Sequence, residues 1–428
     1  MLPDLERITQ RATAEPHLRF TALAHHLSEN FLADTWHRMN RRGAPGVDHQ
    51  TTAAYAADLK EHLSDLVARN RRHAYRAPAV RRVYIPKPGK PGQRRPLGIP
   101  TVEDRLLQAA VARLLSAIYE ADFRPVSYGF RPGRNAHQAL ATLRNTLMTG
   151  RAHWVVEADI RGYFDHIDHD WLLRMLELRV GDPWILRLVH KWLAAGILED
   201  GRVTPATVGS PQGGPLSPIL ANVYLHYVLD LWFEQVVIPR CRGRATLIRF
   251  ADDFLALFED EDDARRFLRA LPHRIRKFAL TLAEEKTRLI PFGRRHWRAN
   301  QPYPHHFDFL GFRHHLSHDR HGRMAVVRLP SPKSRQKFLQ EVKQWLRVHQ
   351  HDRPRAQARV LHAKVRGFYQ YFGVPHTTAA LGRVGYAVQW YWYRSLSRRS
   401  QKGKVTWEAL KRCPWFLLPR PRVVHPTV

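Results

Sequence analysis

Cysteine is scarce in this sequence, and acidic residues are heavily outnumbered. Cys241 and Cys413 are the only cysteines among 428 residues, which excludes a disulfide framework and a four-cysteine zinc site and is typical of a cytoplasmic protein. The 26 histidines are scattered without partner ligands at zinc spacing, so we interpret them as basic surface. No apolar run reaches the roughly 18 residues that a membrane helix needs, and the longest, 223–238, contains a histidine and two acidic residues. The amino terminus lacks the layout of a signal peptide, so we expect neither secretion nor membrane insertion.

Positive charge is what the sequence has in excess. Lysine and arginine number 69 against 38 aspartate and glutamate residues, giving a formal net charge of +31. Such an excess repels itself in a compact fold unless a polyanion neutralises it. Nucleic acid is the first candidate, and an anionic membrane surface is the alternative.

The charge is concentrated in the last quarter of the chain. Residues 313–428 contain 24 basic and four acidic residues, so they carry +20 of the +31. Aromatic residues interleave with this charge over 368–372 and 390–393. Two interpretations remain open, because these rings can form the core of a helical bundle or can stack on the bases of a bound nucleic acid.

Local patterns predict an α+β protein. Residues 1–75 have amphipathic helical periodicity interrupted near 42–46, and four prolines between 85 and 96 predict a loop there. Thr101 can cap a helix that has one apolar face, formed by Leu106, Leu107, Ala110, Val111, Leu114, Leu115 and Ile118. Residues 154–160 predict a strand, and 247–250 with 254–258 predict a hairpin.

Three aspartates follow or join these predicted strands. Asp159 lies at the end of the first strand, and Asp252 and Asp253 lie at the hairpin tip. Carboxylates gathered at adjacent strand ends repel one another unless a divalent cation lies between them, and ligands that are all oxygen favour Mg2+. An Asp-Asp pair in a turn is by itself more often a pair of polar turn residues, so the surrounding sequence must decide.

That surrounding sequence resembles the group II intron reverse transcriptase–maturase family, over nearly the whole chain and in family order. In chain order the matching segments are residues 42–48 (RGAPGVD), 81–88 (RRVYIPKP), 95–105 (RPLGIPTVEDR), 128–135 (YGFRPGRN), 159–165 (DIRGYFD), 209–218 (GSPQGGPLSP), 250–253 (FADD), 285–287 (EKT), 309–312 (FLGF), 366–372 (RGFYQYF) and 419–425 (PRPRVVH). The resemblance implies a right-hand polymerase with fingers and palm, followed by a helical, basic thumb or maturase domain. We expect an N-terminal extension over 1–75, fingers and palm over 76–315, and thumb with a basic tail over 316–428.

The resemblance also implies catalytic roles. Asp159, Asp252 and Asp253 would bind two Mg2+ ions, with Mn2+ as a substitute, and the backbone carbonyl of Ile160 would add a ligand. The ring of Phe164 matches a steric gate against ribonucleotides, with palm core as the less favoured alternative. Lys286 would contact phosphate or would simply be solvated.

Further matching positions concern the substrate. Those implied for the incoming nucleotide and the templating base are Lys87, Arg95, Ile99 and Gln212, together with Phe164. Those implied for the primer grip are Phe309, Leu310, Gly311 and Phe312. The implied partners are dNTPs, template RNA, the group II intron RNA and a DNA primer or target, in the bacterial cytoplasm near the nucleoid, and a homodimer is left open.

Two departures from the family pattern are visible. Phe250 replaces the usual tyrosine before Ala-Asp-Asp, which keeps the ring and loses a hydroxyl. Many family members append a His-Asn-His endonuclease, for which two isolated cysteines are insufficient, so second-strand cleavage is not expected.

Two functional alternatives remain beside an intron-mobility polymerase. A domesticated or defence-associated reverse transcriptase would share the same core. A splicing-only RNA-binding factor would have a dead polymerase, although the presence of all three aspartates argues against it.

Overall fold

A computed structural model describes residues 5–86, 92, 94–199, 202–204, 209, 213–298, 303–319, 321–399 and 405–428. The α-helices within these ranges are α1 (Leu5–Ala14), α2 (Glu29–Arg38), α3 (Thr52–Ala57), α4 (Leu59–Arg71), α5 (Val102–Tyr119), α6 (Ala136–Met148), α7 (His169–Glu177), α8 (Pro183–Leu193), α9 (Ser217–Leu225), α10 (Glu261–Lys277), α11 (Pro332–Val348), α12 (Pro354–Phe372), α13 (Thr378–Ser397) and α14 (Trp407–Lys411). The strands are β1 (Val80–Pro86), β2 (Arg94–Ile99), β3 (Trp154–Ala158), β4 (Ile197–Glu199), β5 (Arg202–Thr204), β6 (Ala245–Phe250), β7 (Asp253–Phe258), β8 (Arg288–Pro291), β9 (His306–Phe309), β10 (Phe312–His318) and β11 (Met324–Pro330). The predicted α+β class is confirmed.

Helix α5 forms the centre of the amino-terminal half. The Thr101 hydroxyl accepts a hydrogen bond from the backbone N–H of Asp104, as the sequence predicts for a cap. Every residue of the predicted apolar face is fully buried, among side chains from the helices α1–α4. These four helices are interrupted between Arg38 and Thr52, where the helical periodicity fails.

A small sheet of order β2-β1-β4-β5 follows. Strands β1 and β2 pair antiparallel, with Tyr84 opposite Pro96 and Pro86 opposite Arg94. The predicted loop over 85–96 is therefore wrong at both of its ends, which are strand. Proline is tolerated here because β2 is an edge strand and Pro86 is the last residue of β1.

The central sheet, of order β6-β7-β3-β8, carries the aspartates. Strand β3 pairs antiparallel with both β7 and β8, and β6 and β7 form the predicted hairpin. Residues of β7 after Asp253 are buried on both faces of the sheet. The predicted strand and hairpin are thus confirmed, with Asp253 as the first residue of β7 rather than part of the turn.

The longest apolar stretch of the sequence lies in an extended helix. Helix α9 continues through two π-helical segments, His226–Asp230 and Phe233–Val237, into a short 3-10 turn at Ile238–Arg240. Its apolar side chains join the core beneath the central sheet. In the described ranges, no helix is both long enough and apolar enough to cross a bilayer.

The basic carboxyl-terminal region combines the sheet β11-β10-β9 with helices α11–α14. Phe368, Tyr369, Phe372 and Trp392 are buried between the helices, so these rings are bundle core. Trp390 packs against Tyr393 and Trp407 and is 41% exposed. The final segment returns along the bundle, where the backbone N–H of Val424 donates to the Gly373 carbonyl at 2.7 Å.

Candidate active site

The strand register brings the three aspartates to one edge of the central sheet. Ala158 of β3 lies opposite Phe254 of β7, so the next residue, Asp159, faces Asp253. Directly opposite residues of an antiparallel pair have Cβ atoms about 4.5–5.5 Å apart. Asp252 lies in the two-residue connection of the hairpin, since Phe250 pairs with Asp253. Residues distant in sequence therefore converge as the motif order predicts.

The carboxylates of this cluster disfavour one another's charged forms. Burial, together with the neighbouring Asp252 and Asp159 carboxylates, raises the pKa of Asp253 to about 7. Asp159 is ion-paired with Lys286, whose ammonium group donates to its carboxylate. Lys286 is thus neither simply solvated nor free, and it supplies the positive charge that this side of the cluster needs.

The hairpin tip has an unusual backbone, held by close packing. Ala251 has φ +56°, a left-handed conformation that non-glycine residues rarely adopt. A Cβ atom on Gly129 would lie 2.4 Å from the Ala251 nitrogen, so the neighbouring segment approaches the tip as closely as only glycine permits. Asn222 of α9 holds that segment by donating to the Gly129 carbonyl at 2.8 Å.

Phe164 lies a few residues beyond Asp159. The chain leaves β3, turns at Gly162 with φ +54°, and forms a short 3-10 helix at Tyr163–Asp165. Tyr163 is fully buried and donates to the Ala221 carbonyl at 2.6 Å, while Phe164 packs edge-on against it and stays half-buried. This placement leaves part of the Phe164 ring available to a substrate. Asp168 caps α7 by accepting a hydrogen bond from the backbone N–H of Trp171.

Two glycines pack closely against segments that contain predicted nucleotide-binding residues. A Cβ atom on Gly209 would lie 2.8 Å from the Asp165 carbonyl oxygen, next to Phe164. One on Gly213 would lie 2.5 Å from the Gly98 carbonyl oxygen, next to the partly buried Ile99. Gly209 therefore lies beside the Phe164 turn, and Gly213 lies beside strand β2. Lys87, Gln212 and the side chain of Arg95 lie outside the described residues.

The predicted primer-grip residues form a tight hairpin turn. Phe309 pairs with Phe312, and both are buried. Leu310 and Gly311 between them have φ +49° and +80°, the left-handed pair that two-residue hairpins favour. The backbone N–H of Leu310 lies close enough to the Asp253 carboxylate to lower its pKa, which places this turn beside the cluster.

Comparison with protein families gives two adjoining matches. The model described as "Reverse transcriptase (RNA-dependent DNA polymerase)" matches residues 85–314, more than half of the chain, and that of the group II intron maturase-specific domain matches 335–414. The chain belongs to the group II intron reverse transcriptase family. Its architecture is accordingly that of a polymerase with fingers and palm followed by a helical maturase region.

Relatives of this chain include two bacterial proteins and a Schizosaccharomyces pombe protein named for an intron. The group II intron-encoded protein LtrA of Lactococcus lactis subsp. cremoris is 33% identical over 304 residues, covering 68% of this chain and 50% of LtrA. Protein YkfC of Escherichia coli is 31% identical over 363 residues, covering 76% of this chain and 91% of YkfC. A 91 kDa protein in the cob intron of Schizosaccharomyces pombe is 41% identical over 156 residues, or 36% of this chain and 19% of that protein. The chain thus spans about half the length of LtrA.

Reverse transcriptases use divalent metal ions, and the chemistry of the cluster fits such ions. Asp253 is destabilised in its charged form by burial and two like charges, and Asp159 already holds a cationic group. As the side chains stand, no three His, Cys, Asp or Glu residues of the described ranges form a complete metal site on their own. A metal would therefore have to displace the Lys286 ammonium from Asp159 and draw further ligands from the backbone or the substrate.

The sequence did not predict the residues that support the hairpin and the neighbouring turn of this reverse transcriptase site. Arg249 and Asp230 form a fully buried ion pair under the hairpin, and Tyr371 of α12 donates to the Leu310 carbonyl at 2.9 Å. Arg249 directly precedes the FADD motif, and Asp230 is one of the acids in the apolar stretch 223–238. A charged residue in an otherwise apolar segment was therefore the signal that could have indicated this buried pair. Tyr371 lies in the RGFYQYF segment, but nothing in that segment indicated a contact with the turn at Leu310.

Proposed function

We propose that this chain is an RNA-directed DNA polymerase that binds its own group II intron RNA, assists splicing and copies RNA into cDNA for intron mobility. The observation that carries the proposal is the convergence of Asp159 with Asp252 and Asp253 at one sheet edge. Membership of the reverse transcriptase family supports the polymerase, and the maturase match supports the splicing role.

In the proposed reaction Asp159, Asp252 and Asp253, with the Ile160 carbonyl, would hold two Mg2+ or Mn2+ ions, which when bound activate the primer 3′-hydroxyl and stabilise the leaving pyrophosphate. Loading of the site would release Lys286 from Asp159 and leave its ammonium group to contact phosphate. The half-buried ring of Phe164 excludes a ribose 2′-hydroxyl, which favours dNTPs.

Substrate contacts are proposed on the fingers side of the cluster. Lys87 and Arg95 would bind the triphosphate, because ammonium and guanidinium groups suit phosphate oxygens. Ile99 would pack on the templating base, and Gln212 would lie near the incoming nucleotide. The support is the close approach of Gly209 and Gly213, which flank Gln212, to the Phe164 turn and to β2.

Template RNA, intron RNA and a DNA primer or target are the proposed macromolecular partners. Besides the net charge of +20 over 313–428, a groove of about 630 Å3 along α12 supports RNA binding. It is lined by Arg355, Arg359, Arg366 and Trp415, which combine phosphate-binding groups with a ring for stacking. Residence in the bacterial cytoplasm near the nucleoid, and a homodimer, are further parts of the proposal; light scattering of the purified protein checks the second.

The test pairs primer extension on poly(rA)/oligo(dT) with a splicing assay on the intron RNA. Asp252→Asn plus Asp253→Asn should abolish extension and leave splicing largely intact, because the intron itself performs the transesterification. Asp262→Asn, which removes an exposed acid on α10, is the matched control and should affect neither. Loss of both activities in a variant that remains folded would refute the proposed separation.

Wild-type protein distinguishes the remaining alternatives. Splicing assistance without any extension would favour a splicing-only factor. Extension without binding or splicing of any flanking intron RNA would favour a domesticated or defence-associated enzyme.

A further inference from the structure

The turn between β9 and β10 is held from the thumb helices through both of its carbonyl groups. The Tyr371 hydroxyl of α12 donates to the Leu310 carbonyl at 2.9 Å. The Ser334 hydroxyl of α11 donates to the Gly311 carbonyl at 3.0 Å, and the backbone N–H of Ser331 donates to the same oxygen at 2.9 Å. The thumb therefore fixes the orientation of both peptide groups in the turn.

The opposite side of the same turn contacts the catalytic cluster. The Leu310 N–H lies close enough to the Asp253 carboxylate to lower the pKa of that group. Leu310 has φ +49°, a conformation that a side chain disfavours and that the two-residue turn and its neighbours together hold. The contact between Leu310 and Asp253 therefore depends on what holds the turn from behind.

Tyr371 is itself firmly placed. It is half-buried, and its ring packs at 5.7 Å from that of Phe312. Its backbone carbonyl is bonded by the ring of His137 of α6 at 2.8 Å, so the palm and the thumb both fix its position. Burial, and then the charge of Asp253, raises the pKa of the Tyr371 phenol to about 12, which keeps its hydroxyl a donor at neutral pH.

We propose that Tyr371 is a positioning residue for the metal site, acting through the Leu310-Gly311 turn on Asp253. Its hydroxyl holds the Leu310 carbonyl, and this keeps the Leu310 N–H directed at the Asp253 carboxylate. A displacement of α12 on the thumb is thereby transmitted to a proposed metal ligand in the palm. The inference rests on the polymerase function proposed above.

The test is Tyr371→Phe, which removes the hydroxyl and keeps the ring. The matched control is Tyr369→Phe on the same helix, whose hydroxyl donates to the Leu381 carbonyl at 3.1 Å, inside the thumb. The measurements are the single-turnover rate of nucleotide addition, template–primer affinity by fluorescence anisotropy in EDTA, and Mn2+ affinity of the template–primer complex by electron paramagnetic resonance.

Tyr371→Phe should slow addition by about 3- to 10-fold, the effect of losing one neutral hydrogen bond, and should weaken Mn2+ binding by a similar factor. Template–primer affinity should stay at the wild-type value, and Tyr369→Phe should change neither the rate nor the Mn2+ affinity. Ser334→Ala should have a smaller effect, because the Ser331 N–H still holds the Gly311 carbonyl.

The outcomes separate this inference from the proposed function. An inactive wild-type protein refutes the polymerase assignment. An active wild type with a Tyr371→Phe variant unchanged in rate and Mn2+ affinity refutes the positioning role. The role is also refuted if both tyrosine variants lose rate in proportion to a loss of melting temperature, because the effect is then general stability.

Discussion

The buried ion pair under the catalytic hairpin offers a prediction whose size follows from the structure. Arg249 and Asp230 have no appreciable exposure, and the guanidinium binds the carboxylate through two bonds of 2.7 and 2.6 Å. The remaining Arg249 nitrogen donates to the Asn222 side chain and to the Ala251 carbonyl, each at 3.0 Å. The pair therefore supports Ala251, the residue in left-handed conformation that directly precedes Asp252 and Asp253.

Removing one partner of this ion pair should destabilise the folded protein far more than removing both. Asp230→Ala leaves an uncompensated cation in the core, which costs about 3–5 kcal/mol. For a cooperative unit of about 150–250 residues this lowers the melting temperature by roughly 6–20 °C. Asp34→Ala is the control. It breaks the partly exposed ion pairs of Asp34 with Arg113 at 2.7 Å and with Arg38 at 3.0 Å, and it should cost much less, since water can solvate both arginines.

The double variant Arg249→Met plus Asp230→Leu tests the reasoning. Apolar replacement of both partners removes the buried charges, so its melting temperature should lie well above that of Asp230→Ala. Primer extension should nevertheless stay reduced, because nothing replaces the bond to the Ala251 carbonyl. Differential scanning fluorimetry and single-turnover extension measure the two effects. A double variant as unstable as the sum of its single variants, or one with full activity, would refute this account.

Three further predictions concern the site and its pH dependence. Phe164→Val should raise the use of ribonucleotides relative to deoxyribonucleotides by about 10- to 200-fold, measured by single-nucleotide incorporation, and an unchanged ratio would identify Phe164 as palm core. Burial and the neighbouring carboxylates raise the pKa of Asp253 to about 7, so Mg2+ must displace a proton below that pH, and the half-saturating Mg2+ concentration should rise by about tenfold per pH unit there and level off above it. Burial lowers the pKa of His314 to about 3. Below about pH 6.5 the unfolded chain therefore binds a proton that the folded protein does not, so stability should fall as pH is lowered from about 6.5 towards 3. His314→Phe keeps the stack on Phe307 and removes the titrating group. Thermal melts of this variant should show a flatter decline of stability with falling pH.

Local elements of the fold could be predicted because their signals are local. The hairpin β6–β7 has apolar residues on both sides of a polar turn, and α5 has a capping threonine followed by one apolar face. The strand ends over 85–96 could not, because proline content predicts a loop and only the sheet order reveals that β2 is an edge. Edge position is a tertiary property that no single segment encodes.

The site was predictable to a different degree in each of its parts. Acids at strand ends could be found from the sequence, and motif order supplied the expectation that they meet. The contacts of single residues within the site could not be predicted. Lys286 is an example, because one lysine among many gives no local sign that it will pair with Asp159, which lies 127 residues away. Tyr371 and Asp230 likewise act through single contacts with distant residues, and such contacts leave no periodic pattern.

Polymerase and thumb are better understood as one mechanical unit than as two modules joined by a linker. Strand β10 (Phe312–His318) runs through the proposed division at 315/316 and pairs on one side with β9, next to the cluster, and on the other with β11, which leads into α11. One apolar cluster contains Ile248 and Leu255 of the catalytic hairpin together with Val365 and Trp392 of the thumb helices. Flexing at this junction would have to break sheet pairing and expose that core. RNA bound on the basic helices is therefore expected to act on the catalytic edge through this packing, so a variant that loosens the junction should change extension and intron binding together.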